Sequence, residues 1–415
     1  MNIVWVKTEL LHPLDKGGKL RSYHMLRELK RNGLHRITYI TLDDGHGGRE
    51  ARAQASEYCD ELVTIPFHPP ARGAIGFYVD LALNLFSKLP YAVARYRSAA
   101  LQRAIDTRVA AGDVDLVVCD FLAPSVNVSE DLPCPVVLFE HNVEALIWKR
   151  HAEVAANPLK RGYLAVQWER MHAFEARECR RYDYVVTVSP EDRILVSQEY
   201  GTETVADVPT GVDTEYFTPS GTQPRDRLNM VFTGSMDWMP NDDAVRFFLG
   251  GVWPRIRAAV PNATFTVVGR NPSAALVALS SQEPGVTVTG RVDDVRPYME
   301  RAAVFLVPLR IGGGTRLKIF EAMAMGLPVV STWIGAEGLP VTDGQDIVLA
   351  DAPEQFANAA VRLLTDQARA QTIGDEASRT VRARAGWDRA ARVFDEICGR
   401  VLARAPDTAE TGVHP

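Results

Sequence analysis

Cysteine is scarce in this chain and is never closely spaced. The sequence has five cysteines in 415 residues, and no two of them form a Cys-x-x-Cys pair. An odd, scattered set favours neither a disulfide framework nor a zinc site, and it fits a reducing cytoplasm. The five are Cys59, Cys119, Cys134, Cys179 and Cys398.

Long apolar runs and a signal sequence are also missing. The cleanest apolar run spans residues 302–309, whereas a membrane-spanning helix needs about 20 residues. The N-terminus begins with the strand-like run Asn2–Val6 rather than with a basic segment followed by an apolar one. We therefore expect a cytoplasmic protein without a spanning helix.

The chain carries no excess of positive charge. It has 46 Lys and Arg against 52 Asp and Glu, a net charge of −6, so we expect no nucleic acid among its partners. Hydrophobic residues make up 46% and charged residues 24%, which excludes a mainly disordered chain. Because single hydrophobic cores stop growing near ~250–300 residues, the length favours at least two cores.

Short β-rich runs alternate with helical patterns in two blocks. Many runs are apolar on consecutive residues, as in parallel strands covered by helices on both faces. A stretch rich in Pro, Gly and Thr, residues 208–224, separates the blocks. The pattern predicts an α/β protein with two parallel sheets. The predicted strands are Asn2–Val6, Ile37–Leu42, Glu61–Phe67, Asp115–Asp120, Pro135–Glu140 and Asp183–Val188, then Asn229–Gly234, Ala263–Gly269, Val286–Gly290, Val304–Pro308, Pro328–Thr332 and Asp346–Ala350.

The most informative segment runs from Pro308 to Val330. A predicted strand ends at Pro308, three glycines follow, and a helical pattern begins near Thr315. Glycines let backbone approach a ligand, and a helix start offers unpaired N–H groups, so the segment predicts a phosphate or diphosphate site. Lys318 and Glu321 are three positions apart, so a helix places them on one face. A glycine-rich turn before an exposed Lys–Glu pair is the alternative.

The stretch Ile319–Thr332 resembles the donor-nucleotide signature of glycosyltransferase family 4, whose members are retaining, metal-independent enzymes of the GT-B fold. Further matches follow in the family's order over roughly residues 1–400. They are Gly17-Gly18-Lys-Leu-Arg21, Glu140-His141-Asn142, Val188-Ser189-Pro190, Pro209-Thr-Gly-Val-Asp213, Val231-Phe-Thr-Gly234 and Val267-Val-Gly-Arg270. The glycine-rich form of the signature is similar to that of members tied to exopolysaccharide assembly.

The resemblance implies a role for each matching residue. Glu321 is expected to bind the donor ribose, and Lys318 and Arg316 to hold the diphosphate. His141 is expected to orient a hydroxyl of the donor sugar, with a purely structural histidine as the alternative. Gly18 lets backbone approach the donor or acceptor. The remaining expected donor-binding residues are Gly234, Arg270, Gly312, Gly313, Gly314 and Thr315.

Two departures from the family pattern affect the expected activity. The first acid of the family's Glu-x7-Glu motif is replaced by Gly313, and the usual cations after the first strand of the second block are replaced by Ser235 and Pro240. More of the diphosphate charge therefore falls on Arg316 and Lys318. These departures leave two alternatives open, a catalytically inactive nucleotide-binding subunit and a nucleotide-sugar epimerase on the same scaffold.

The resemblance also implies a domain plan. It places an acceptor-side domain in residues 1–207, a linker in 208–225, a donor domain in 226–385, a closing helix that packs back on the first domain in 386–405, and a flexible tail in 406–415. Ligands of open α/β sheets lie at the carboxyl ends of the strands, so we expect the site in the cleft between the domains. The expected partners are a nucleotide-sugar donor and a saccharide or lipid-linked acceptor, with no cofactor and no metal.

Two segments suggest contact with the inner membrane. Residues 148–181 combine many basic residues with aromatic ones, as in helices that dock on anionic lipid. Residues 77–89 form a second, apolar and aromatic stretch. A solvated helix face is the alternative for the basic segment, because four glutamates dilute its charge. The enzyme is thus expected in the cytoplasm, with peripheral attachment to the membrane as a further expectation.

Overall fold

The computed structural model describes residues 1–71, 73–155, 157–311 and 317–404. The chain divides into two compact units. The first contains Met1–Pro209 together with the residues from Asp388 onward, and the second contains Thr210–Trp387.

The first unit is built on a parallel sheet, which has seven strands in the described part of the chain. The strand order is β3-β2-β1-β4-β5-β6-β7, so β1 and β4 are central neighbours although more than 100 residues separate them. The central strands are buried along nearly their whole length, because helices cover both faces. The strands are β1 (Asn2–Lys7), β2 (Arg36–Asp43), β3 (Glu61–Pro66), β4 (Leu116–Asp120), β5 (Val136–Phe139), β6 (Tyr184–Thr187) and β7 (Val205–Asp207).

The helices of the first unit begin where local signals place them. Ser189 followed by Pro190 is one such signal: the Ser189 hydroxyl accepts a hydrogen bond from Asp192 N, and Pro190 is the first helical residue. The helices are α1 (Gly17–Arg31), α2 (Gly48–Ala53), α3 (Ile75–Asn84), α4 (Tyr91–Ala94), α5 (Ala99–Ala110), α6 (Glu144–Glu153), α7 (Pro158–Arg181) and α8 (Pro190–Tyr200).

The second unit repeats the architecture with a parallel sheet of six strands among the described residues. The strand order is β10-β9-β8-β11-β12-β13, and every residue of β11 is buried. The strands are β8 (Asp226–Thr233), β9 (Thr264–Val268), β10 (Val286–Val288), β11 (Ala302–Val307), β12 (Val329–Ser331) and β13 (Val348–Leu349). The helices are α9 (Met239–Phe247), α10 (Trp253–Ala259), α11 (Ala274–Ser281), α12 (Arg296–Arg301), α13 (Leu317–Ala324), α14 (Pro353–Thr365) and α15 (Gln367–Arg384).

The last helix, α16 (Trp387–Arg404), returns to the first unit. The Phe394 ring lies 5.5 Å from the ring of Trp5 on β1 and 5.2 Å from that of Phe139 on β5. Asp395 Oδ1 lies 3.0 Å from His35 Nε2. The C-terminal helix therefore completes the core of a unit whose other residues lie at the opposite end of the chain.

The predicted fold class is confirmed, since both blocks form parallel sheets flanked by helices. All twelve predicted strands are present with small shifts at their ends, and β7 is an additional one. Strand β7 was not predicted, because it has three residues of which only Val205 is large and apolar, and so short a run shows no strand pattern. None of the described helices has the length and hydropathy needed to cross a membrane.

Candidate active site

The predicted donor-binding residues of the second unit meet at one edge of its sheet. Gly234 directly follows β8, Arg270 lies two residues after β9, and Lys318 lies in the first turn of α13, which follows β11. These three strands are neighbours and parallel. Their carboxyl ends therefore lie side by side, at the edge where open α/β sheets bind ligands.

Lys318 is held over the end of β8. Its ammonium donates a hydrogen bond to Asn241 Oδ1 at 2.8 Å and lies 4.2 Å from the centre of the Phe232 ring. A Cβ atom added to Gly234 would stand only 2.8 Å from Lys318 Nζ. The lysine thus supplies a cation beside the first strand of this unit, where Ser235 and Pro240 do not.

Glycine is required at the ends of β8 and β9 because their backbones nearly touch. A Cβ at Gly269 would lie 1.7 Å from the carbonyl oxygen of Gly234, which no side chain can accommodate. A Cβ at Gly234 would also lie 2.6 Å from Asn241 Nδ2. Both glycines therefore leave the backbone bare at this edge.

Arg270 is bound within a small polar cluster. Its Nε donates to Ser235 Oγ at 2.7 Å, and the same atom is 3.8 Å from Asp237 Oδ2. Burial alone would raise the pKa of Asp237, but hydrogen bonds from Ser235 and Asn271 and the charge of Arg270 lower it. The carboxylate balances part of the arginine's charge, so Arg270 offers less net attraction to a diphosphate than Lys318.

Glu321 lies one helical turn after Lys318 and is partly buried. Burial raises its pKa to about 7, and the nearby Lys318 charge acts in the opposite direction. The carboxyl group therefore changes charge near neutral pH. In its ionised form it is a pure hydrogen-bond acceptor, suited to a pair of hydroxyl groups.

The glycine-rich segment before α13 lies outside the described residues. It contains five residues predicted to bind the donor, and their roles remain predictions. They are Gly312, Gly313, Gly314, Thr315 and Arg316.

The two predicted site residues of the first unit are brought together. Gly18 lies at the start of α1, after β1, and His141 follows β5. A Cβ at Gly18 would stand 3.9 Å from His141 Nδ1 and 2.8 Å from the Phe121 ring. The rings of Phe121 and His141 are 4.1 Å apart between centroids, and His141 is only 1% exposed. Phe121 therefore packs over both residues.

Sequence reasoning missed the charged residues beneath His141. Lys7 and Asp120 end two otherwise apolar strands, β1 and β4, and both are buried. Lys7 Nζ lies 2.8 Å and His141 Nε2 lies 2.9 Å from Asp120 Oδ1. A charged residue closing an apolar run at the carboxyl end of a strand was the signal that could have found them.

Phe121 itself has a strained backbone, with φ at 77°. A non-glycine residue in the left-handed region is uncommon and costs roughly 1–2 kcal/mol. Such strain concentrates at functional sites, where the surrounding structure enforces it.

A second buried cluster contains Glu140, the residue before His141, and Glu175 of α7. Glu140 and Glu175 are both buried, and Glu175 accepts hydrogen bonds from Glu144 N at 2.6 Å and Tyr200 Oη at 2.7 Å. Burial raises the pKa of Glu175 to about 7 and that of Glu140 still further, helped by the adjacent Glu175 carboxylate. Because the pKa of Glu140 lies well above its ordinary value, the pair carries a proton at neutral pH.

The described residues contain no group of three or more His, Cys, Asp and Glu side chains that could hold a metal ion. A surface cavity of about 490 Å³ in the second unit lies at the C-terminal end of α13, next to Met325 and Arg382. It is therefore at the end of that helix away from Lys318, and it is not the predicted donor site.

Comparison with known proteins identifies a glycosyltransferase domain in each of the two units. Residues 17–216 match the family model for glycosyltransferase family 4, and residues 227–366 match the model for glycosyl transferases group 1. A curated relative, an uncharacterized 44.6 kDa protein in the cps region of Klebsiella pneumoniae, is 25% identical over 137 residues. That match covers 31% of this chain and 35% of the relative.

Solved structures with the same fold cover nearly the whole chain. Sucrose-phosphate synthase from Thermosynechococcus elongatus has a TM-score of 0.74 at 18% identity, covering 98% of this chain and 100% of its own. The Anabaena protein HepE, in complex with UDP and glucose, has a TM-score of 0.69 at 14% identity, covering 96% and 99%. WaaG, a glycosyltransferase involved in lipopolysaccharide biosynthesis, has a TM-score of 0.65 at 15% identity, covering 96% and 100%.

The chain has two parallel-sheet units, and two family models together span most of it. The chain is a glycosyltransferase of the GT-B fold, with a glycosyltransferase family 4 domain in residues 17–216 and a glycosyl transferases group 1 domain in residues 227–366.

Proposed function

We propose that this enzyme transfers a sugar from a nucleoside diphosphate sugar to a saccharide or lipid-linked acceptor, with retention of the anomeric configuration. The observation that carries the proposal is the position of Lys318, whose ammonium lies over the bare backbone at Gly234. A diphosphate placed there meets a cation, the Asn241 amide and a backbone that carries no side chain at Gly234. Glu321, one turn further along α13, is the acceptor for the ribose hydroxyls.

The cation acts on the leaving group. As the glycosidic bond to the nucleotide breaks, positive charge grows on the sugar ring and negative charge grows on the diphosphate. Lys318 stabilises the diphosphate more strongly in the transition state than in the ground state, which is the requirement for catalysis. Arg316 and the preceding glycines are proposed to add to this effect.

His141 is proposed to contact the transferred sugar, and Gly18 to let backbone approach it. In the retaining reaction that we propose, the departing phosphate oxygen takes the proton of the acceptor hydroxyl, which attacks from the same face. The protein's task is then to orient the two substrates and exclude water. We propose that no metal ion takes part.

The names of similar proteins support a role in cell-envelope or exopolysaccharide glycans. The Klebsiella pneumoniae relative is described as a protein of the cps region, and WaaG as an enzyme of lipopolysaccharide biosynthesis. The glycine-rich signature points the same way.

Helix α3 and the two residues after it support peripheral membrane attachment, because together they expose an apolar face. Phe86 is 92% and Ile75 is 84% exposed, and the large apolar residues recur at helical spacing from one to the other. The opposite face packs inward: the buried Asn84 accepts a hydrogen bond at Oδ1 from Gln167 Nε2 of α7 at 3.3 Å. The exposed apolar face comprises Ile75, Tyr78, Val79, Leu83, Leu85 and Phe86.

The charges around this face favour an anionic lipid surface as its occupant. Lys88 is exposed beside Phe86, and Lys160 and Arg161 are exposed on α7 near Leu159, which is itself 87% exposed. The more C-terminal arginines of α7 are engaged within the unit, as Arg181 is with Glu178. The membrane contact therefore lies at α3 and the start of α7 rather than along the whole basic segment.

A nucleotide screen tests the donor site. The full chain is heated in the presence of UDP, GDP, ADP or dTDP, each with EDTA. A ligand that binds only the folded protein raises its Tm, so we expect a shift with one nucleotide that is lost in Lys318→Ala. No shift with any of the four, or an equal shift in the variant, would contradict the site. NMR of the product's anomeric proton then tests retention.

Vesicle flotation tests the membrane contact. The full chain is expected to float with vesicles of phosphatidylcholine and phosphatidylglycerol and to remain behind with phosphatidylcholine alone. Phe86→Ser with Ile75→Ser is expected to abolish flotation. Trp333→Ser, which removes an exposed aromatic side chain from the second unit, is the matched control and should float normally. Flotation of the α3 variant would contradict the assignment.

A further inference from the structure

A path of hydrogen bonds and one close polar contact links Gly18 to His141 inside the first unit. Ser22 Oγ donates to the carbonyl oxygen of Gly18 at 2.9 Å and accepts from Lys7 Nζ at 2.9 Å. Lys7 Nζ also donates to Asp120 Oδ1 at 2.8 Å. His141 Nε2 lies 2.9 Å from the same carboxylate oxygen. The two residues that resemble family site residues are thus connected by a buried polar path.

Stability alone does not account for this path. Asp120 has no exposed surface, and its second oxygen accepts a hydrogen bond from Trp5 Nε1 at 2.7 Å. A buried ion pair such as Lys7–Asp120 is often no more stabilising than apolar side chains of the same volume, because removing both charges from water is costly. The arrangement does, however, fix the orientation of every group in it.

The arrangement also selects one form of His141. An ionised Asp120 can only accept hydrogen bonds, so the imidazole proton resides on Nε2 and the lone pair on Nδ1. Nδ1 is on the side of the ring that faces Gly18, 3.9 Å from the position of a Cβ there. The hydrogen-bond acceptor of His141 therefore points to the glycine loop.

We propose that Asp120 and Lys7 are positioning residues for His141. Asp120 fixes the tautomer with the proton on Nε2, and Lys7 disfavours a second proton, so that Nδ1 accepts a hydrogen bond from a hydroxyl of the donor sugar. The inference rests on the proposed function of His141. Because the Phe121 ring packs against the imidazole, the proposal requires that ring to turn aside for the hydroxyl to reach Nδ1.

The charges that face the imidazole come from three elements. Lys7 ends β1, Arg21 lies on α1 and donates from Nη1 to the carbonyl oxygen of His141, and Asp120 ends β4. Burial lowers the pKa of His141 to about 3; Lys7 and Arg21 act in the same direction and Asp120 in the opposite one. The imidazole is neutral at physiological pH, as a hydroxyl-accepting Nδ1 requires.

The first test separates positioning from folding. The variant Lys7→Met with Asp120→Asn removes both charges and nearly keeps the volume, so no lone charge is left buried. We expect kcat to fall by about 10²-fold or more, toward the value for His141→Ala. The KM for the sugar donor that carries the nucleotide found in the screen should stay within about twofold. The matched control, Glu178→Gln, breaks the ion pair of a buried carboxylate with Arg181 elsewhere in the unit and should keep the wild-type kcat.

The second test follows the pKa of His141 directly in the full chain. Histidine labelled with ¹⁵N reports both the tautomer and the pKa, and the resonance of His141 is assigned as the one missing in His141→Ala. The wild type is expected to show the proton on Nε2. In Lys7→Met a nearby positive charge is gone while Asp120 remains, so the pKa of His141 should rise by about one unit or more, and the acidic limb of kcat should move with it.

The results separate the proposed role of His141 from the positioning role of Asp120 and Lys7. Loss of kcat in the double variant, together with the pKa rise in Lys7→Met, supports the positioning role. Wild-type kcat in the double variant when His141→Ala is inactive overturns the inference and leaves the proposed function standing. An equal loss in Glu178→Gln, or a proton found on Nδ1, also overturns it. Full activity of His141→Ala removes the role of His141 and the inference together.

Discussion

Lys318 Nζ and Asn241 Oδ1 are joined by a hydrogen bond of 2.8 Å, although the two residues are 77 positions apart in the chain. The bond joins the first turn of α13 to the first turn of α9. It places the lysine's charge beside Gly234, at the edge of the sheet where a nucleotide is expected. The missing cations at Ser235 and Pro240 therefore do not leave this edge uncharged.

Removing the Lys318 charge should weaken nucleotide binding. Lys318→Ala is expected to cost about 1.5–3 kcal/mol of binding free energy, the range for hydrogen bonds to charged groups. Calorimetric titration with the nucleoside diphosphate that the screen identifies measures this loss. Arg310→Ala removes a cation that is paired with Asp243 at 2.6 Å and should have a smaller effect. Wild-type affinity in Lys318→Ala would contradict the donor site.

Binding of a nucleotide sugar should strengthen with pH through Glu321. Burial raises the pKa of this carboxyl to about 7, so raising the pH through that value ionises it and lets it accept hydrogen bonds from two ribose hydroxyls. The diphosphate of a nucleotide sugar does not titrate in this range, so the pH dependence reports on the protein. Glu321→Gln should bind more weakly and without the pH dependence. An identical pH dependence in that variant would assign it to another group.

A methyl group at Gly234 should disturb the lysine. The added Cβ would lie 2.6 Å from Asn241 Nδ2 and 2.8 Å from Lys318 Nζ, so both side chains must move. Gly234→Ala is therefore expected to weaken nucleotide binding by about the same amount as Lys318→Ala. Gly250→Ala is the control, since a Cβ there meets nothing within 4 Å. Unchanged affinity in Gly234→Ala would show that the lysine does not need its observed position.

Glycine should suit position 121 better than alanine does. Both substitutions remove the Phe121 ring from His141, but only glycine adopts a φ of 77° without strain. Phe121→Gly is therefore expected to be more stable than Phe121→Ala by roughly 1 kcal/mol, although glycine normally destabilises a chain relative to alanine. Urea unfolding of the two variants measures the difference. The opposite order would mean that the backbone is relaxed there.

The buried carboxyl pair of Glu140 and Glu175 should make stability fall as the pH rises. Burial raises both pKa values above the ordinary 4.5, so the folded state holds protons that the unfolded chain releases. The cost is absent below about pH 4.5 and grows as the pH rises through 7. The stability of Glu140→Gln minus that of the wild type should therefore be larger at pH 8 than at pH 5. Denaturant unfolding at the two pH values tests this, and an equal difference at both would contradict it.

The sequence by itself determined the two α/β blocks and the start of the helix at Pro190. Each of these depends on residues close together in the chain: apolar runs of a few residues, or a serine followed by proline. The glycine-rich segment before α13 could be recognised for the same reason, and the family resemblance followed from motifs of this local kind.

The tertiary structure alone decided which side chains support the predicted site residues. The site of the first unit draws on three strands: Lys7 ends β1, Asp120 ends β4, and His141 is the second residue after β5. These residues meet because the three strands are neighbours in the sheet order. Lys318 reaches Asn241 because β8 and β11 are neighbours. Strand order depends on how distant segments bury their apolar faces against each other, and no local pattern records it. The charges that are expensive to bury were therefore visible in the sequence, but the partners that make their burial tolerable were not.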